Sequence, residues 1–143
     1  MHTADRWEDK MNPLRIDHIG IAVESLEEAS KVYEALGLRS QGVEVVEEQK
    51  VKVAFFPCGD SEIELLESTD PEGPIAKFIE KKGPGIQHIA IRVPDIKAAI
   101  TEMQEKGFRM IDLEPRYGAG GASIAFMHPK GTGGVLIELT QRN

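Results

Sequence analysis

The chain has 143 residues, of which 41% are hydrophobic and 29% charged, the balance of an ordinary globular protein of one compact domain or two small fused modules. Its formal net charge of −7 argues against general nucleic-acid binding but leaves room for an anionic substrate held by a few local cations. The single cysteine, Cys58, excludes an intrachain disulfide, and no apolar run approaches the ~18 residues of a membrane span, so the expected setting is the cytoplasm with no membrane partner.

Residues 1–12 are polar and without period, and read as a disordered lead or tag ahead of a single domain at 13–143. Arg15 to Val23 alternates and is β-branched-rich, which predicts a strand. Ser25 with Glu28 forms a capping-box pattern. Leu26, Ala29, Val32, Tyr33 and Leu36 then recur at helical spacing up to Gly37, a natural stop. Strands are expected at about 40–46, 51–57 and 62–67, completing a βαβββ unit. After a turn-rich linker, 75–82 reads as a short helix. The order then repeats. Residues 86–93 form a strand, and Asp95 caps a helix whose buried stripe is Ile96, Ala99, Ile100 and Met103. Strands are expected at about 109–113, 123–127 and 135–140. The modules thus span about 14–70 and 84–142. Residues 129–134 look like a hairpin connection. The Gly-rich stretch 116–121 is longer than a hairpin needs, as functional loops often are.

The two units are copies. Ile16-Asp17-His18-Ile19-Gly20-Ile21-Ala22-Val23 returns as Ile86-Gln87-His88-Ile89-Ala90-Ile91-Arg92-Val93, offset by 70 residues without a gap through Gly37/Gly107 and Arg39/Arg109. A period this long marks a duplicated module rather than a solenoid. Side chains alternate along a strand, so His18 shares its face with Gly20 and Ala22, and His88 shares its face with Ala90 and Arg92. Small neighbours leave room for a cavity. The last strand of each unit carries a matched carboxylate, Glu64 in Ile63-Glu64-Leu65 and Glu138 in Ile137-Glu138-Leu139. A charge inside an apolar strand is costly unless exposed, paired or metal-bound.

A lone strand histidine is more often structural than a ligand. Two at equivalent positions, each with a matched glutamate, point instead to metal binding. Two imidazoles and two carboxylates, with no thiolate, suit Co²⁺, Mn²⁺, Ni²⁺, Zn²⁺ or Fe²⁺. Four protein ligands on an octahedral ion would leave two adjacent positions for a bidentate substrate. His128, Arg116 and Lys130 have weaker claims; each reads more readily as a loop or solvated residue than as a substrate contact.

These paired strands, each opening a βαβββ unit, resemble those of the vicinal-oxygen-chelate superfamily. Within it, the motifs Asp17–Ala22, Glu62–Glu67, Gly85–Ala90, Glu114-Pro115-Arg116 and the tail Phe126–Lys130 through Gly134–Leu139 resemble the methylmalonyl-CoA epimerases, over about 14–141. The resemblance implies an α+β fold of tandem modules whose mixed sheet curls around one divalent ion per chain, cobalt first, with Mn²⁺, Ni²⁺ or Zn²⁺ as alternatives. It implies His18, Glu64, His88 and Glu138 as metal ligands and Glu138 as catalytic acid/base. It implies an acyl-CoA thioester substrate, a homodimer, and interconversion of (2R)- and (2S)-methylmalonyl-CoA by metal-assisted 1,1-proton transfer through an enolate. Two other readings carry the same fold: a glyoxalase I-type lyase, and a metal-free small-molecule-binding module. The chain departs from part of the family at one point. Where some members place a second catalytic glutamate, Val53 stands here, which leaves the second acid/base open.

Overall fold

The computed structural model describes residues 11–143. Residues 1–10 of the expected lead lie outside the described residues. Of the remaining two, Met11 donates its N–H to Glu102 Oε1 at 2.8 Å and packs against the core of the second module.

The first module runs β1 (Arg15–Ala22), α1 (Leu26–Ala35), β2 (Val43–Val46), β3 (Val51–Cys58) and β4 (Ser61–Ser68). The linker helix α2 (Pro74–Lys82) follows. The second module runs β5 (Gly85–Arg92), α3 (Ile96–Glu105), β6 (Arg116–Tyr117), β7 (Ser123–Phe126) and β8 (Ile137–Gln141). Both are βαβββ units, the α+β arrangement expected from the repeat. The helix stops hold too: Gly37 and Gly107 both take positive φ, +95° and +93°, directly after their helices.

The chain gathers into two compact units, His18–Ile89 and a second made of residues 11–17 with Ala90–Asn143. Strands β1 and β5 each run through both. Within the first unit the hydrogen-bonded order is β2-β3-β4-β1-β5, and within the second β1-β5-β8-β7-β6. β1 pairs with β4 in parallel, whereas β2–β3, β3–β4, β6–β7 and β7–β8 are antiparallel. The sheet is therefore mixed.

Each module buries one face of its strands under its own helix. Val23, Leu26, Ala54, Phe56 and Leu65 form the first core, joined by Ile21, Ala29, Tyr33 and Ile63. Val93, Ile96, Ala99, Ile100, Met110, Ala125, Met127 and Leu139 form the second, joined by Met103 and Ile137. Of the first helical stripe, Leu26, Ala29 and Tyr33 pack into the core, whereas Val32 and Leu36, at its margin, lie exposed.

A second device ties each helix to the last strand of its module. Glu67 Oε1 accepts the N–H of Leu26 at 2.7 Å, and Gln141 Oε1 accepts that of Ile96 at 2.8 Å. Both N–H groups belong to the first helical turn, where no intrahelical acceptor exists. Glu67, on the helix-side face with Ile63 and Leu65, is thus a helix anchor.

Two expected strands change. The first strand-like stretch after α1 begins at Val43 rather than Ser40, since Gly42 breaks the extended run, although Gln41 N–H still reaches Phe55 O at 2.8 Å. The stretch at 109–113 is no strand; it makes one bridge, Met110 to Met127. Its partner's hydrogen bond goes to a side chain instead, because Phe126 N–H donates to Asp112 Oδ2 at 2.8 Å. Pro115 brings no N–H, and the short β6 forms just beyond it.

Candidate metal centre

His18, Glu64 and His88 all lie in the unit His18–Ile89, and all three are buried. Their elements place them as the alternation predicts. Glu64 sits between Ile63 and Leu65, both packed in the first core, and so points to the opposite face. Register pairs Glu64 with Gly20 on β1 and with Phe55 on β3.

The two imidazoles meet edge to face, ring centroids 5.1 Å apart and planes at 90°. Their Nε2 atoms are 3.0 Å apart. Gly20 makes this possible: a Cβ built there would overlap the His88 ring. The outer nitrogens are also engaged. His88 Nδ1 lies 2.6 Å from Gln87 Oε1, and His18 Nδ1 lies 3.4 Å from Glu64 Oε2.

Which nitrogen of each ring carries the proton depends on the tautomer; the Gln87 amide oxygen favours Nδ1–H on His88, which turns the His88 Nε2 lone pair toward His18. At 3.0 Å the two Nε2 atoms can share one proton or one cation. Two nitrogens bound at about 2.1 Å with a right angle at the ion would stand about 3.0 Å apart, which is the separation present. The donor set, imidazole with carboxylate and no thiolate, suits a borderline divalent ion. Among the described residues, then, this chain carries a site whose residues fit a divalent metal.

Glu138 lies in the other unit and is equally buried. Ile137 and Leu139 on either side pack in the second core, so Glu138 also points to the opposite face. The buried hydroxyl of Thr140, two residues on and on the same face, donates to its Oε2 at 2.5 Å. Register pairs Glu138 with Phe126, as Glu64 pairs with Phe55.

Upstream of His18, Asp17 is held by two arginines. Arg92 Nε donates to Oδ1 at 2.8 Å and Arg142 Nη2 donates to Oδ2 at 2.8 Å. Arg142 Nη1 also donates to Ala119 O in the Gly-rich stretch, at 3.3 Å. The stretch itself forms a compact 3-10 turn, Ala119–Gly121, between β6 and β7. His128 serves locally, accepting Lys130 N–H at Nδ1 (3.1 Å), the loop role expected of it.

Val53 is buried on β3, where it pairs with Leu66 on one side and Glu44 on the other. Cross-strand partners share a face. Leu66 is two residues from Glu64, so Glu44, half-buried, belongs to the face that bears Glu64. Sequence reasoning passed over Gln87, Thr140 and Glu44. For Thr140 a signal existed, because position i+2 on a strand shares the face of the carboxylate.

Residues 17–126 match the model of the glyoxalase/bleomycin resistance protein/dioxygenase superfamily. The mitochondrial methylmalonyl-CoA epimerase of Homo sapiens is 39% identical over 129 residues, covering 89% of this chain and 73% of the human one. The structure of methylmalonyl-CoA epimerase from Mycobacterium tuberculosis is 35% identical with a TM-score of 0.88, covering 95% of this chain and 91% of that one. A methylmalonyl-CoA epimerase solved in complex with methylmalonyl-CoA and NH4+ is 38% identical with a TM-score of 0.86, covering 90% and 94%.

Proposed function

The chain belongs to the methylmalonyl-CoA epimerases of the glyoxalase/bleomycin resistance protein/dioxygenase superfamily, and from that premise we propose that it interconverts (2R)- and (2S)-methylmalonyl-CoA by a 1,1-proton transfer. The observation that carries the reading is the pair of buried Nε2 atoms at 3.0 Å, with His88 Nδ1 against the amide oxygen of Gln87. A metal-free binding module has no use for that arrangement. The glyoxalase I-type alternative fits less well, since several relatives that match along nearly the whole chain are named methylmalonyl-CoA epimerases.

We assign His18, Glu64, His88 and Glu138 to the ion. When bound, a divalent ion supplies Lewis-acid stabilisation of the negative charge that builds on substrate oxygens as the α-proton leaves. Cobalt is the first choice, with manganese, nickel or zinc behind it, on the nitrogen and oxygen donors present. The α-proton is acidic because it lies between a thioester and a carboxylate. Epimerisation needs one group to remove it and another to return a proton on the opposite side. Glu138 is our candidate for one of the two, with Thr140 fixing its Oε2. Glu44 is our candidate for the other, because it stands across from Val53 on the face of Glu64. We further propose a homodimer, supported by exposed Val43 and Val45 on the edge strand β2. A cytoplasmic setting is supported by the bacterial ethylmalonyl-CoA/methylmalonyl-CoA epimerase relative from Cereibacter sphaeroides.

The test is proton exchange in D₂O. Metal-loaded protein is incubated with a single epimer of methylmalonyl-CoA, and α-deuterium is followed by mass spectrometry. Rapid exchange that is lost with EDTA and in His88→Ala is expected. Glu44→Gln should slow exchange from one epimer at least tenfold more than from the other, the mark of a group serving one side only. Exchange at the background rate with metal bound would sink the epimerase reading.

A further inference from the structure

The register of the second module puts one cation on the face of Glu138. Arg116 pairs with Ile124, Ile124 with Thr140, and Phe126 with Glu138. Partners across a ladder share a face, and so do residues two apart on a strand. Arg116, Ile124, Phe126, Thr140 and Glu138 therefore project together. Arg116 holds in β6 the place Glu44 holds in β2: each faces the residue next but one to the partner of its module's glutamate.

The side chain is also directed. Its guanidinium carbon lies 5.7 Å from the centre of the Phe126 ring, so it leans from its own row toward that of Glu138. Arg116 Nε lies 3.2 Å from Asp112 Oδ1, and Asp112 is itself fixed by the Phe126 N–H at Oδ2. This ion pair draws the guanidinium toward Asp112 without a hydrogen bond at Nε. The side chain as a whole is 37% exposed, reachable without being loose. Beside it Ala122, Ile124 and Phe126, with Leu136, form an apolar cluster. A planar fork next to an apolar wall matches a carboxylate attached to a small alkyl carbon.

We propose that Arg116 binds the free carboxylate of the acyl group and so selects malonyl-type thioesters over monocarboxylic ones. This rests on the epimerase reading. The anionic oxygens of CoA phosphate share the same chemistry, but they lie at the far end of the pantetheine arm, whereas Arg116 leans toward Glu138.

The experiment compares wild type, Arg116→Met and Arg116→Lys on two substrates, methylmalonyl-CoA and methylmalonyl-pantetheine, which has no pyrophosphate or ribose phosphate. Arg116→Met is expected to raise KM roughly 10–100-fold on both substrates, the scale of a charge-assisted hydrogen-bond pair. Arg116→Lys should recover part of that loss, and cobalt affinity by calorimetry should be unchanged in both variants. A penalty present with the CoA ester and absent with the pantetheine ester would assign Arg116 to a phosphate and overturn the proposal. Unchanged KM on both substrates would make Arg116 a surface residue and overturn it equally. Wild-type protein inactive on both substrates would instead sink the epimerase reading, a failure separable from the other two.

Discussion

Gly20 is the residue on which the candidate centre turns. The His88 imidazole occupies the volume where any larger residue would place its Cβ. Gly20→Ala should therefore push the ring away from His18 while leaving the rest of β1 paired. We expect a 10–100-fold loss of cobalt affinity by calorimetry, the range seen when ligand orientation is disturbed, with an unchanged far-ultraviolet circular dichroism spectrum. Wild-type affinity would mean that the ring can relocate without cost. Gln87 acts on the same histidine from the other side. By accepting a hydrogen bond from Nδ1–H it favours Nε2 as the ligand atom, so Gln87→Leu should weaken metal binding without touching the fold. Both expectations concern orientation rather than the presence of a donor, and both escape a reading of ligand types alone.

At the scale of elements, what was legible was what repeats. The 70-residue offset carried the βαβββ order twice, and alternation carried Glu64 and Glu138 to the faces they occupy. What was illegible rests on single contacts between distant residues. Glu67 and Leu26 are 41 positions apart, and no period links them. The stretch at 109–113 has strand-like residues, but a side-chain acceptor, Asp112, takes the ladder hydrogen bond and a proline ends the run. The helix anchor can be tested directly. Glu67→Ala leaves the Leu26 N–H without its acceptor and is expected to cost about 1 kcal/mol, as losing a helix cap does. Urea titration would check it, with Gln141→Ala as the equivalent change in the second module. No shift in the denaturation midpoint for either would show that water replaces these carbonyl and carboxylate partners at no cost.

For the molecule as a whole, metal and stability are coupled. A ligand that binds the folded chain and not the unfolded one stabilises it by mass action, about 2.7 kcal/mol when its free concentration is a hundredfold above its dissociation constant. Saturating cobalt should raise the thermal midpoint by several degrees, and EDTA should return it to the metal-free value. His88→Ala removes one of the two imidazole donors, so added cobalt should barely move the midpoint of that variant. A full cobalt response in that variant would place the ion elsewhere.

Glu44 and Arg116 hold matching places on β2 and β6, yet one is an acid and the other a base. An ancestor built from two identical copies would have carried the same group at both. A substrate with one stereocentre, one carboxylate and one methyl has no matching two-fold symmetry. The paired histidines record what the copies have kept in common. This mismatched pair on the two outer strands marks where the halves diverged, and only fusion in one chain lets the two edges be written independently.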